Sequence, residues 1–75
     1  MGAEDMRELE VQAQILTVDG GRCTFRPAAS TREMTLPVDR DVIETVMDDL
    51  IDAAVKGEER MLKIRGGIIR AVAPT

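Results

Sequence analysis

The spacing of the apolar residues changes twice along this chain, and that change restricts its fold more than any other feature. From Leu9 to Ile15, apolar Leu9, Val11, Ala13 and Ile15 alternate with Glu10, Gln12 and Gln14. From about Arg40 to Lys56, Ile43, Val46, Met47, Leu50 and Ala54 recur at helical spacing. Beyond Gly57, alternation returns in Glu59 to Arg65 and in Ile68 to Ala73. Alternation lines one side of a strand, whereas a period of about 3.6 lines one side of a helix. One helix is therefore expected between two groups of strands.

Turn residues divide those groups. Asp19-Gly20-Gly21 and Arg65-Gly66-Gly67 each separate two alternating runs. Glycine accepts positive φ, so both read as hairpin turns. Leu16 and Val18 interrupt the first alternation, which predicts a bulge or a pair buried on both faces. A second strand is expected over Arg22 to Arg26 with Cys23 and Phe25 inward. Pro27-Ala28-Ala29-Ser30 reads as a loop. A third strand follows over Thr31 to Leu36, with Met34 and Leu36 inward and Glu33 and Thr35 outward, and Pro37 ends it. Asp39 is the expected N-cap of a helix over Arg40 to Lys56, and Gly57 suits its C-terminus.

The predicted fold is α+β: a small antiparallel β-sheet, β-β-β-α-β-β along the chain, with one amphipathic helix packed on one face. Residues 1–7 are expected to be a flexible N-terminal tail and 8–75 a single domain. In the last hairpin a two-residue turn sets Arg65 opposite Ile68, Ile64 opposite Ile69 and Lys63 opposite Arg70. That register places Leu62, Ile64, Ile69 and Ala71 on one face. The other face then carries Met61, Lys63, Arg65, Ile68, Arg70 and Val72.

Composition narrows the function classes. The chain has 75 residues and one aromatic, Phe25. A domain this small buries little surface, and aromatic residues supply the largest single burials. Self-association as a homodimer is therefore expected. The balance of 14 acidic to 10 basic residues, a net charge of −4, argues against a general nucleic-acid binder, whose affinity comes from neutralising phosphates. One cysteine, Cys23, cannot form an internal disulfide, and a cytoplasmic setting is expected. No apolar run has the length to span a bilayer, so no membrane partner is expected. The first ten residues lack the parts of a signal peptide, and Met6 stands where a myristoylation motif needs Ser or Thr. Abundant Ala, Arg, Asp and Val suit a GC-rich bacterial or phage genome.

The chain contains no His and no Asn. Without His there is no Ser–His or Cys–His pair and no Cys/His zinc site. Catalysis by carboxylates, Arg or Lys would need a concave pocket, which so small a domain rarely encloses. No catalytic residue, cofactor or metal site is expected, and the protein is not expected to be an enzyme. Cys23 reads as a core residue. Neither glycine turn has the spacing of a phosphate-binding loop.

Two charged surfaces remain. At about 100° per residue, Asp41, Asp48 and Asp52 align opposite the apolar side of the helix, flanked by Glu44 and Asp49. Asp48-Asp49-Leu50-Ile51-Asp52 resembles the DDxxD magnesium motif of isoprenyl-diphosphate synthases. A single copy on a single helix lacks the second motif and the further oxygen ligands that such a site needs. Val38 to Gly57 holds six acidic and two basic residues, whereas Arg60, Lys63, Arg65 and Arg70 make the chain from Arg60 onward purely basic. Three functions are expected in order. The first is a protein–protein interaction module that self-associates through Met61, Lys63, Arg65, Ile68, Arg70 and Val72. The second is an acidic inhibitor, of the phage-antagonist, immunity-protein or antitoxin kind, docking Asp41, Glu44, Asp48, Asp49 and Asp52 on a basic surface. The third is nucleic-acid contact through Lys63, Arg65 and Arg70.

Overall fold

A computed structural model describes residues 8–74. The predicted class and element order are observed. The strands are β1 (Leu9–Asp19), β2 (Arg22–Pro27), β3 (Met34–Pro37), β4 (Glu59–Arg65) and β5 (Ile68–Pro74), with one helix, α1 (Ile43–Lys56), between β3 and β4. The expected tail, residues 1–7, lies outside the described residues, as does Thr75.

The strands form one sheet in the order β3-β2-β1-β4-β5, and every neighbouring pair is antiparallel. The central strand serves two partners. Leu9 to Gln14 pair with β4, and Ala13 to Asp19 pair with β2. The register of β1 shifts between Ile15 and Thr17, leaving Leu16 as the extra residue. Of the two outcomes expected from the broken alternation, a bulge or a pair buried on both faces, the bulge is observed. It lets both Ile15 and Val18 meet the core, and bulges sharpen the local bend of a strand.

That bend brings the two ends of the sheet together. Val38, just after β3, forms a parallel bridge with Ile69 of β5. Asp39 N donates to Ile69 O at 2.9 Å, and Arg70 Nε lies 2.7 Å from Asp39 Oδ2. The sheet is thus curled into a five-stranded, partly open barrel. Helix α1 supplies Val46, Leu50 and Ala53 to a core shared with Ala13, Ile15, Cys23, Phe25, Leu62, Ile64 and Ile69. The helix ends on Gly57 in the left-handed region, φ 69°. There the N–H groups of Gly57 and Glu58 donate to Ala54 and Ala53, closing the carbonyl end as a glycine cap does.

Three expectations are corrected. The helix begins at Ile43, not Arg40, and Val42 is its N-cap without a side-chain hydrogen bond. Asp39 is drawn to β5 instead; its Oδ1 accepts from Asp41 N at 2.8 Å, and residues 40–42 form a turn. The third strand begins at Met34, not Thr31, because Ser30 Oγ accepts from Arg32 N within the preceding loop. Met34 itself stays 46% exposed at the sheet edge.

The third correction is the register of the last hairpin. Arg65 does face Ile68 and Ile64 faces Ile69, but Lys63 faces Ala71 and Leu62 faces Val72. Arg70 is an extra residue that bulges out to reach Asp39. Every side chain after it therefore changes sides. Val72 packs against the core and leaves the outer face, while Ala71 and Ala73 join Lys63 and Met61 there.

Candidate interaction surfaces

The acidic residues of the helix region do not form one free ridge. Asp41 lies in the turn before α1. Asp49 Oδ1 accepts from Arg60 Nε at 3.1 Å. Asp52 Oδ2 lies 3.2 Å from Lys56 Nζ and 3.8 Å from a terminal nitrogen of Arg60. Glu58 Oε1 completes the set at 3.1 Å from the same nitrogen. Arg60 is thus surrounded by three carboxylates, and its side chain is only 13% exposed. Hydrogen bonds to Asp49 and then Glu58 push its pKa above the ordinary arginine value. Among the described residues, Glu44 and Asp48 form no ion pair and stand exposed one turn apart.

Arg60 was not among the residues expected to matter here, although the sequence held a signal. Alternation puts Arg60 on the same side of β4 as Leu62 and Ile64, which is the side facing the helix. A cation in that position is held over the carboxylates of α1. Its role is to tie the helix to β4, so it is not available to an outside partner.

The exposed side of α1 also carries Ile51 at 45% and Val55 at 81% exposure. Neither belongs to the apolar side expected from the helical spacing.

The convex side of β4 and β5, away from α1, is different in character. Met61 faces Ala73, Lys63 faces Ala71 and Arg65 faces Ile68. Met61, Lys63, Arg65, Ala71 and Ala73 are half-buried, and Ile68 is 36% exposed. Four of the six expected residues therefore share this surface: Met61, Lys63, Arg65 and Ile68. Arg70 is engaged by Asp39, and Val72 lies on the concave side. The neighbouring face of β1 and β2 is polar. There Arg26 donates to Gln14 Oε1 at 2.7 Å and Thr24 meets Thr35 at 2.9 Å.

Cys23 is fully buried, and burial pushes its thiol pKa up to about 11. A thiol held protonated is a poor nucleophile and metal ligand. Among the described residues, no three His, Cys, Asp or Glu side chains converge to hold a metal ion. No helix among them is long and apolar enough to cross a membrane. Comparison with family models, curated proteins and solved structures found no match to this chain.

Proposed function

We propose that this protein is a non-enzymatic interaction module that self-associates through its C-terminal hairpin. The observation that carries this reading is the convex face of β4 and β5. Apolar Met61, Ile68, Ala71 and Ala73 interrupt the cations Lys63 and Arg65 there, on the side that α1 does not cover. The domain has one aromatic residue to stabilise it, so further burial on association is worth more to it than to a larger fold. A single buried thiol fits a reducing, cytoplasmic setting. The acidic-inhibitor alternative is weaker, because Arg60 and Lys56 already engage Asp49 and Asp52. Sedimentation equilibrium tests the proposal. A dimer is expected at roughly tens of micromolar, above the ~1 μM dissociation constant that about 8 kcal/mol of association free energy gives. A monomer throughout that range contradicts it.

A second reading has the barrel itself in its favour. Five-stranded, partly open barrels include the OB-fold, whose second and third strands and flanking loops bind oligonucleotides and oligosaccharides. Here Arg22 and Arg26 project from β2 and Lys63 from β4, on the outer side of the sheet. Against this reading, the loops joining β1 to β2 and β4 to β5 are only Gly20-Gly21 and Gly66-Gly67, and Phe25 is 0% exposed, leaving no aromatic ring on which a base could stack. Fluorescence anisotropy with a labelled single-stranded oligonucleotide decides. Phosphate-driven binding weakens as salt rises; no binding at low salt ends this reading.

A further inference from the structure

We infer that β5 pairs with β5 of a second copy, antiparallel and centred on Val72, so that one sheet continues across a two-fold axis. The inference rests on the self-association reading and places the contact at the hairpin's β5 edge, where Ala71 and Ala73 of the convex face meet the second copy.

β3 and β5 are the two edge strands, and β5 is the longer of them, with its own protections in the Arg70 bulge and Pro74. β3 has four residues, ends in Pro37 and follows Arg32 and Glu33. Short length, proline and nearby charge are the usual protections of an edge. Between Arg70 and Pro74, β5 carries half-buried Ala71-Val72-Ala73, with no charge and no proline, and no loop backbone group hydrogen-bonds to these three among the described residues. The only charged residue of β5, Arg70, is answered by Asp39 at 2.7 Å, so two copies would not repel across the axis.

The register follows from what stands at each end. Ile69 O is already used by Asp39 N, which blocks pairing at that end. Pro74, at the other end, has no N–H to give. Ala71 to Ala73 are left, and an antiparallel pair over them must centre on Val72. Val72 then faces its own copy on the concave side. Ala71 faces Ala73 of the other copy on the convex side, small against small. A surface that matches itself under a two-fold rotation is what a closed dimer needs.

The test is site-directed crosslinking with Val72→Cys under mild oxidation. Directly opposed residues of an antiparallel pair have Cα atoms about 4.5–5.5 Å apart, within the range that a disulfide spans. Buried Cys23 makes the wild-type chain the control. V72C is expected to form a disulfide-linked dimer much faster than Ala73→Cys, whose own copy lies out of register. Ala73→Lys, a charge placed on the edge, should weaken association by about tenfold. A wild-type dimer in which V72C crosslinks no faster than A73C, or in which A73K associates unchanged, overturns the strand pairing and leaves the module reading standing. A wild-type monomer overturns both.

Discussion

At the scale of single residues, Arg70 and Cys23 show how little of a side chain's role lies in its type. Arg70 looks like a surface cation, yet its guanidinium closes the barrel on an Asp39 carboxylate that is 13% exposed. Removing it leaves that carboxylate half-desolvated without its cation. Arg70→Ala is expected to destabilise the fold by about 1–2 kcal/mol, less than the roughly 1.5–3 kcal/mol of a hydrogen bond to a charged group because Arg70 itself is 43% exposed, measured by urea unfolding. Cys23 makes a prediction about pH. Burial raises its pKa from the ordinary 9.0 to about 11, so the folded state disfavours the thiolate. Below pH 9 both states hold the proton and the shift has no effect. Between about pH 9 and pH 11 the unfolded chain loses the proton and the folded one keeps it, so stability falls as pH rises. Unfolding midpoints measured across that interval should decline more steeply in the wild type than in Cys23→Ala. An equal slope in both would show that the thiol is not protected.

At the scale of elements, the strands and the helix agree with the expected order because their signals are local. Alternation from Leu9 to Ile15 and helical spacing from Ile43 to Ala54 need no knowledge of the rest of the chain. The β1 bulge at Leu16 was half readable: the broken alternation allowed either a bulge or a pair buried on both faces, and the pairing with β2 decided for the bulge. The start of α1 was not readable, because Asp39 has two possible employments and the choice was made by Ile69 and Arg70, some 30 positions away. The β5 bulge was hidden for the same reason. How α1 is held to the sheet also depends on a distant partner, Arg60, lying against Asp49, Asp52 and Glu58. Arg60→Met keeps the apolar stem and removes the charge. It should lower the melting temperature at low salt, and raising the salt should shrink the difference, because screening already weakens partly exposed ion pairs. A difference that does not change with salt would mean that Arg60 acts by packing alone.

At the scale of the whole molecule, one closed core has to supply nearly all the stability. Phe25 is its largest fully buried side chain and its only aromatic. Truncating a buried Phe to Ala costs about 3–5 kcal/mol. A domain of this length is stable by roughly 0.05–0.15 kcal/mol per residue, so the cost rivals the total. Phe25→Ala is expected to abolish the cooperative thermal transition seen by circular dichroism; a variant that still melts cooperatively near the wild-type temperature contradicts a core organised around this ring. The amino-acid sequence by itself determined the number, type and order of the elements, the two glycine turns and the inward set of most strands, because each depends on residues a few positions apart. Only the tertiary structure decided that the sheet curls until Val38 meets Ile69, that Arg70 bulges and sends Val72 inward, and that Arg60 takes up the carboxylates of the helix. Those outcomes depend on which distant groups can satisfy one another's charge and hydrogen bonds once the chain is compact, and no local period carries that information.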